Sequence, residues 1–286
     1  MLTSSQVECF RKDGFLVVPS VLTGEQVSLL RSILIKLFGA GLQHEGDTKS
    51  CIYNICARYP ELQWILFHPP IVSALRSLLG NDFVYLPEVA AHDSSFGGWH
   101  KDTTSQEVAG HFFQHQADYS MLEVALYLQD NSEEYGGGLD VIPGSHFLPD
   151  KYVKPRLPAK GALGRFWRNV KYKLARYGLQ VKEKTPVGRY LIPSKAGDLV
   201  LFNFKIDHKS TAANGPIPPE RRKFAMFFAC SANNRHVENY IQFLLSRPDY
   251  HYLKNHRYPE SLQELADENN VILGKAEEKE TSKRSR

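Results

Sequence analysis

The chain is 286 residues long, 42% hydrophobic and 12% aromatic, and carries 35 Lys+Arg against 31 Asp+Glu for a formal net charge of +4. This hydrophobic content separates it from disordered chains, and its length suits one large domain or two small ones. No apolar run approaches the roughly 18 residues that a bilayer span demands.

Charge is unevenly spread. Residues 151–189 hold twelve basic side chains and one acidic one, Glu183, a net of +11 that leaves −7 for the rest. A mildly acidic body with one basic segment speaks against a nucleic-acid-binding domain, and no nucleic-acid partner is expected. The stretch Met1 to Gly14 carries charges where a secretion signal has its apolar region, which predicts a cytoplasmic protein. Cys9, Cys51, Cys56 and Cys230 are too few and scattered for a disulfide framework or a zinc site, and all four are expected to be buried thiols.

In chain order, Ser4 or Ser5 is expected to cap a short helix that Gly14 breaks, and Phe15 to Pro19 reads as a short strand. Thr23 and Gln26 form a capping box for a helix with Val27, Leu30, Ile33, Leu34 and Leu37 at helical spacing. Pro69-Pro70 precedes another helix, Ile71 to Leu79. From Phe83 the period shortens, and the runs 83–91, 121–128, 139–142, 190–192, 198–204 and 224–230 read as short strands separated by turn residues. After Asn233 the pattern is helical again, with Val237, Tyr240, Ile241, Leu244 and Leu245 on one stripe and a further short helix from Ser261 to Asn269. The expected fold is mainly β with flanking helices. It comprises one domain over residues 1–274: a helical N-terminal region over residues 1–82, a barrel or sandwich core 83–232 interrupted by the basic insertion, helices 233–274, and a disordered tail 275–286.

His100 and Asp102 are two residues apart, so in extended backbone they share one face and can hold one divalent metal. His208 closes a later strand-like run and supplies a third ligand if the two strands are neighbours. Two histidines and one carboxylate leave three coordination positions open, the facial arrangement of non-haem Fe(II) oxygenases. Arg222 opens the apolar run Phe224 to Ala229, and an arginine entering a barrel needs an anion, for which its planar fork suits a carboxylate. Ser210 can donate to the same carboxylate, and either Arg221 or Arg222 is left as a solvated charge. Glu88 and His92 share one face of the strand leading to the metal motif and, with His111, are candidates to touch substrate. His146 reads as structural.

The runs Phe10-Arg11-Lys12-Asp13-Gly14-Phe15-Leu16-Val17-Val18-Pro19, Trp99-His100-Lys101-Asp102, Gly138-Leu139-Asp140-Val141-Ile142-Pro143-Gly144-Ser145-His146 and His208-Lys209-Ser210, followed by Arg222, resemble the phytanoyl-CoA dioxygenase family of Fe(II)/2-oxoglutarate oxygenases. The resemblance spans about Leu2 to Cys230 in the right order. It implies a double-stranded β-helix (jelly-roll) core. It also implies iron on His100, Asp102 and His208, and the distal carboxylate of 2-oxoglutarate on Arg222 and Ser210. The reaction implied consumes O2 and releases succinate and CO2 as a substrate C–H bond is hydroxylated, with desaturation, cyclisation or epimerisation as variants. Asp102 itself favours oxygen transfer, because halogenating relatives carry a small residue there. Lys101 between the ligands and Lys209 after His208 depart from the usual residues, and Lys101 is expected to project to the opposite face.

The basic insertion admits three readings: a solvated helix, a lid that draws in an anionic or carrier-linked small molecule, or a peripheral membrane contact through residues 163–177. Phe166 and Trp167 are its apolar anchors, and Trp167 is a candidate substrate contact. A non-oxidative metal-dependent barrel enzyme or a ligand-binding barrel remain the competing function classes.

Overall fold

The structure, a computed structural model, describes residues 1–41, 44, 46–94, 98–153 and 185–276. The first helix, α1 (Ser4–Asp13), is capped by Thr3 in a box with Gln6, one position before the expected serines. It stops at Gly14, whose φ of 82° is a left-handed conformation that glycine adopts without a Cβ penalty. A Cβ there would lie 2.4 Å from Nδ1 of His146. His146 in turn donates from Nε2 to the Arg11 carbonyl at 3.0 Å, so it is structural: it holds α1 against the barrel.

In chain order there follow β1 (Phe15–Val18), α2 (Gly24–Gly39), β2 (Cys51–Tyr53), α3 (Ile55–Arg58), α4 (Pro69–Leu79), β3 (Val84–Asp93), α5 (Thr104–Val108), β4 (Met121–Tyr127), β5 (Leu139–Ile142), β6 (Tyr190–Leu191), β7 (Leu199–Asn203), β8 (Asp207–Ser210), β9 (Phe224–Ser231), α6 (Arg235–Ser246), α7 (Glu260–Glu268) and β10 (Ile272–Leu273). The Thr23–Gln26 capping box opens α2 as expected.

The strands form two sheets. The larger runs β1-β7-β4-β9-β3-β10, with β2 added on β3, and the smaller runs β6-β5-β8. Pairings are antiparallel apart from the β10 to β3 edge. The period-2 alternation of each central strand assigns its faces. Leu122, Val124 and Leu126 of β4 and Phe224, Met226 and Phe228 of β9 pack outward with Leu30 and Leu34 of α2 and Ile71 and Leu75 of α4. Ala125 and Tyr127 of β4, Val200 and Phe202 of β7 and Ala225 of β9 point inward, toward Val141 of β5. The result is the jelly roll that the family resemblance implied, with its helices on the outer face of the larger sheet.

Some expectations differ from the structure. The strand β8 escapes the sequence pattern because Asp207-His208-Lys209-Ser210 is polar, and it forms on backbone pairing with β5. Cys51, Cys56 and Cys230 are buried, whereas Cys9 is exposed on the outer side of α1. Most of the basic insertion, Trp167 included, and nearly all of the expected disordered tail lie outside the described residues. Its two ends are anchored: Lys151 pairs with Asp207, and Arg189 pairs with Asp140 at 2.8 Å and Glu133 at 3.1 Å. Among the described residues no helix is long and apolar enough to cross a membrane.

Candidate metal centre and active-site cavity

His100 and His208 face each other through a reciprocal main-chain bridge. His100 N–H donates to the His208 carbonyl at 3.0 Å, and His208 N–H donates to the His100 carbonyl at 2.9 Å. The Asp102 N–H donates to the Phe204 carbonyl at 3.0 Å, which continues the register toward the end of β7. This zipper gathers the three side chains: Oδ1 of Asp102 lies 3.8 Å from Nε2 of His100 and 3.6 Å from Nε2 of His208. One ligand atom from each residue falls within 4.8 Å of the others.

The tautomers follow from the backbone. Nδ1 of His100 sits 2.9 Å from the Gly98 carbonyl and Nδ1 of His208 sits 3.0 Å from the Ile206 carbonyl. A carbonyl only accepts, so each Nδ1 carries the proton and each Nε2 turns its lone pair to the common centre. Burial and then the His100 ring hold His208 well below the usual imidazole range, so it is neutral. Burial and then Glu88 push the Asp102 carboxyl up, and its Oδ2 is buried without a hydrogen-bond partner among the described residues. Two imidazole nitrogens turned to one centre and a buried carboxyl beside them are a donor set that a divalent cation completes, and iron fits it. His208 is 6% exposed while His100 is 42% exposed, so the triad opens to one side.

That side is a cavity of about 470 Å³ lined by Glu88, His92, Glu123, Phe202, Phe204, Ser210, Lys223, Phe227, Tyr240 and Tyr250 together with the triad. A volume of this size is typical of small-molecule sites.

Glu88 and His92 reach the cavity as the shared face of β3 suggested. Burial and then Lys223 hold His92 down to about 4, so it is neutral, and its Nε2 lies 3.5 Å from Sγ of Cys51. His111 does not join them: its ring packs 5.3 Å from Phe243 at a separate surface depression.

Arg222 does not enter the cavity either. Its guanidinium leaves the barrel, pairs with Asp93 and stays half exposed. Arg221, the alternative, reaches toward Asp130 at 3.8 Å. The physical reason is register. Arg222 shares the outward parity of Phe224, Met226 and Phe228, whereas Lys223 shares the inward parity of Ala225 and Phe227. Lys223 is therefore a basic side chain inside, 4% exposed, with Nζ donating to Oγ of Ser210 at 2.9 Å. Burial brings its ammonium down to about 7, and Asp140 only partly offsets this.

Lys101 points away from the cavity as expected. Its Nζ donates to the carbonyls of Ser145 (2.6 Å), Lys205 (2.7 Å) and Leu148 (3.0 Å) and lies 3.3 Å from Oδ1 of Asp207. One buried ammonium thus ties the segment carrying His100 and Asp102 to the residue preceding His208. Sequence reasoning did not single out Lys223, Glu123, Tyr240 or Tyr250. The parity of β4 and β9 carries the signal for the first two, while the tyrosines arrive on a helix and turn packed across the barrel mouth.

A jelly roll with an open two-histidine, one-carboxylate centre beside a cavity that holds a buried ammonium is the architecture of a non-haem iron oxygenase that takes a second, acidic co-substrate. The profile of the phytanoyl-CoA dioxygenase (PhyH) family matches residues 10–218, and the chain belongs to that family of 2-oxoglutarate-dependent non-haem iron dioxygenases. It is 25% identical over 242 residues to an ectoine dioxygenase of Bordetella bronchiseptica, covering 76% of this chain and 72% of that one. Among solved structures, HygX from Streptomyces hygroscopicus with nickel and 2-oxoglutarate bound aligns with a TM-score of 0.57 at 16% identity, covering 82% of this chain and 88% of that one. The epimerase SnoN from nogalamycin biosynthesis, α-ketoglutarate dependent and non-haem, aligns with a TM-score of 0.52 at 16% identity, covering 79% and 80%. These two share the fold.

Proposed function

We propose that this dioxygenase hydroxylates an unactivated C–H bond of a small or carrier-linked metabolite, with His100, Asp102 and His208 holding iron and Lys223 with Ser210 holding the distal carboxylate of 2-oxoglutarate. The observation that carries the reading is the pairing of two unmet needs in one cavity: a carboxylate and two imidazoles that want a cation, and a buried ammonium that wants an anion. Bound iron and 2-oxoglutarate, with O2, supply the oxidising chemistry and leave succinate and CO2.

The residues of the chain bind, orient and exclude. The Gly98 and Ile206 carbonyls fix the two imidazole planes, so the centre is preorganised before any ligand arrives. Lys223 and Ser210 present two donors 2.9 Å apart, a spacing that can receive the two oxygens of one carboxylate. Phe202, Phe204 and Phe227 make the walls apolar, which keeps water away from the reacting carbon. Asp102 occupies the position that a halogenating relative would leave to halide, which supports oxygen transfer.

Purified protein supplied with Fe(II), 2-oxoglutarate and a metabolite library should form succinate above the uncoupled background with at least one compound, whose mass increases by one oxygen. His100→Ala should form none. Succinate formation that survives His100→Ala, or a product lacking the added oxygen, would overturn the assignment.

A further inference from the structure

We propose that the substrate carries a protonated nitrogen group, an ammonium or guanidinium, received by the Glu88 and Glu123 carboxylates at the end of the cavity opposite Lys223. The inference rests on the iron and 2-oxoglutarate reading and names the substrate class of that site.

The strand register separates the two ends. Glu123 sits opposite Ala229 of β9, six residues beyond Lys223, which immediately precedes that strand, or roughly 20 Å along the chain at the usual rise. Glu88 lies four residues before His92 on β3, at the break in register between Tyr85 and Val89, where the strand is free to turn that side chain inward. The candidate metal triad lines the same cavity: Ser210, two residues beyond His208, meets Lys223, while Glu88 acts on the Asp102 carboxyl.

Charge decides what the second end wants. Asp102 and the dicarboxylate co-substrate together would match a divalent metal and the Lys223 ammonium, which leaves the Glu88 and Glu123 carboxyls to find a basic partner of their own. Among the described residues neither forms an ion pair with a lysine or arginine. Arg247, the remaining basic side chain that lines this wall, is engaged elsewhere: it stacks over the Tyr250 ring at 4.8 Å, donates to Ser105 at 3.3 Å and faces Asp249 at 3.6 Å.

Glu88 is held as an acceptor, because the hydroxyls of Tyr240 and Tyr250 each donate to one of its oxygens. That leaves a lone pair on each oxygen for a further donor. The Glu123 carboxyl has no hydrogen-bond partner among the described residues, and burial with Asp102 and Glu88 nearby pushes it up. A carboxyl in such a place is costly, and a cation brought by the substrate removes the cost. The rings of Tyr53, Phe227, Tyr240 and Tyr250 line the same cavity and offer faces that attract a cation and disfavour an anion.

The test uses protein loaded with Mn(II) and 2-oxoglutarate, whose binding is measured first by calorimetry. Failure at that step overturns the underlying reading and this proposal with it. The loaded protein is then titrated with n-hexylammonium and butylguanidinium, and with hexanol and hexanoate as neutral and anionic counterparts. At least one cation should bind tenfold or more tightly than both counterparts, and E88Q and E123Q should each lose about tenfold in cation affinity. With Mn(II) and 2-oxoglutarate bound normally, equal or tighter binding of hexanol or hexanoate, no binding of either cation at millimolar concentration, or undiminished cation affinity in both variants would overturn the proposal alone. Discrimination by the unmodified protein carries the test even where a variant folds poorly.

Discussion

At the residue scale, the exchange of roles between Arg222 and Lys223 has direct consequences. Lys223→Met should weaken 2-oxoglutarate binding to the Mn(II)-loaded protein by about 30-fold or more, since truncating one partner of a buried charge pair costs about 2–5 kcal/mol. Arg222→Ala should leave that affinity unchanged and cost about 1 kcal/mol of stability, the scale of a half-exposed pair, measured by urea denaturation. Equal losses of 2-oxoglutarate binding in both variants would contradict this division. Lys223 also sets a pH dependence. Its neighbours are Ser210, the Tyr127 ring at 5.5 Å, Asp140 and a neutral His92. With the free ammonium brought down to about 7, the anion-binding form is fully present below that pH and is lost above it. Affinity for 2-oxoglutarate should therefore fall by up to tenfold per unit above pH 7, while Lys223→Arg, charged throughout, should flatten the profile.

At the scale of elements, the ligand-bearing segments are joined by side chains as well as by main chain. The Lys101 ammonium and the Asp207 carboxylate are both almost fully buried, and burial holds Lys101 below the usual lysine range although Asp207 pulls the other way. Removing one partner of such a pair costs about 3–5 kcal/mol. Lys101→Met should accordingly lower the thermal midpoint and weaken Mn(II) binding together, whereas Gly14→Ala, which strains α1 against His146, should cost about 1–3 kcal/mol of stability with a smaller effect on Mn(II) binding. The same elements show what can be read from sequence. Apolar periodicity is a burial signal, so it located α2, α4 and α6 and the central strands β4, β5 and β9 to within a residue or two. It did not locate β8, whose polar residues form a strand because β5 and the His100 segment complete its hydrogen bonds. His100 and Asp102 were legible as a candidate pair from their two-residue spacing, and His208 joined them through the family resemblance; the structure brings the three ligand atoms within 4.8 Å of one another. The expected anchor Arg222 lies outside the cavity and its neighbour Lys223 inside it, since basic type alone does not reveal parity, and the alternation of Phe224, Met226 and Phe228 is what places Lys223 inside.

For the whole molecule, stability and ligand loading are coupled. A divalent cation at a hundred times its dissociation constant should stabilise the native state by about 2.7 kcal/mol, several degrees in thermal midpoint for a chain of this size. Differential scanning fluorimetry with Mn(II) should show that rise for the unmodified protein and none for Asp102→Ala. The uneven charge of the chain now has two local meanings. The basic insertion begins and ends on acidic partners, Asp207 at one end and Asp140 with Glu133 at the other, while the cavity keeps carboxylates of its own.

The reciprocal bridge between His100 and His208 joins residues far apart in the chain, one of them on β8 of the smaller sheet. Closing so long a loop costs entropy that the strand pairing of the barrel offsets, so a metal held there would act as a latch on a finished barrel rather than a seed for it. Stripping the metal with a chelator should leave a folded protein that recovers activity on reloading without passing through the unfolded chain.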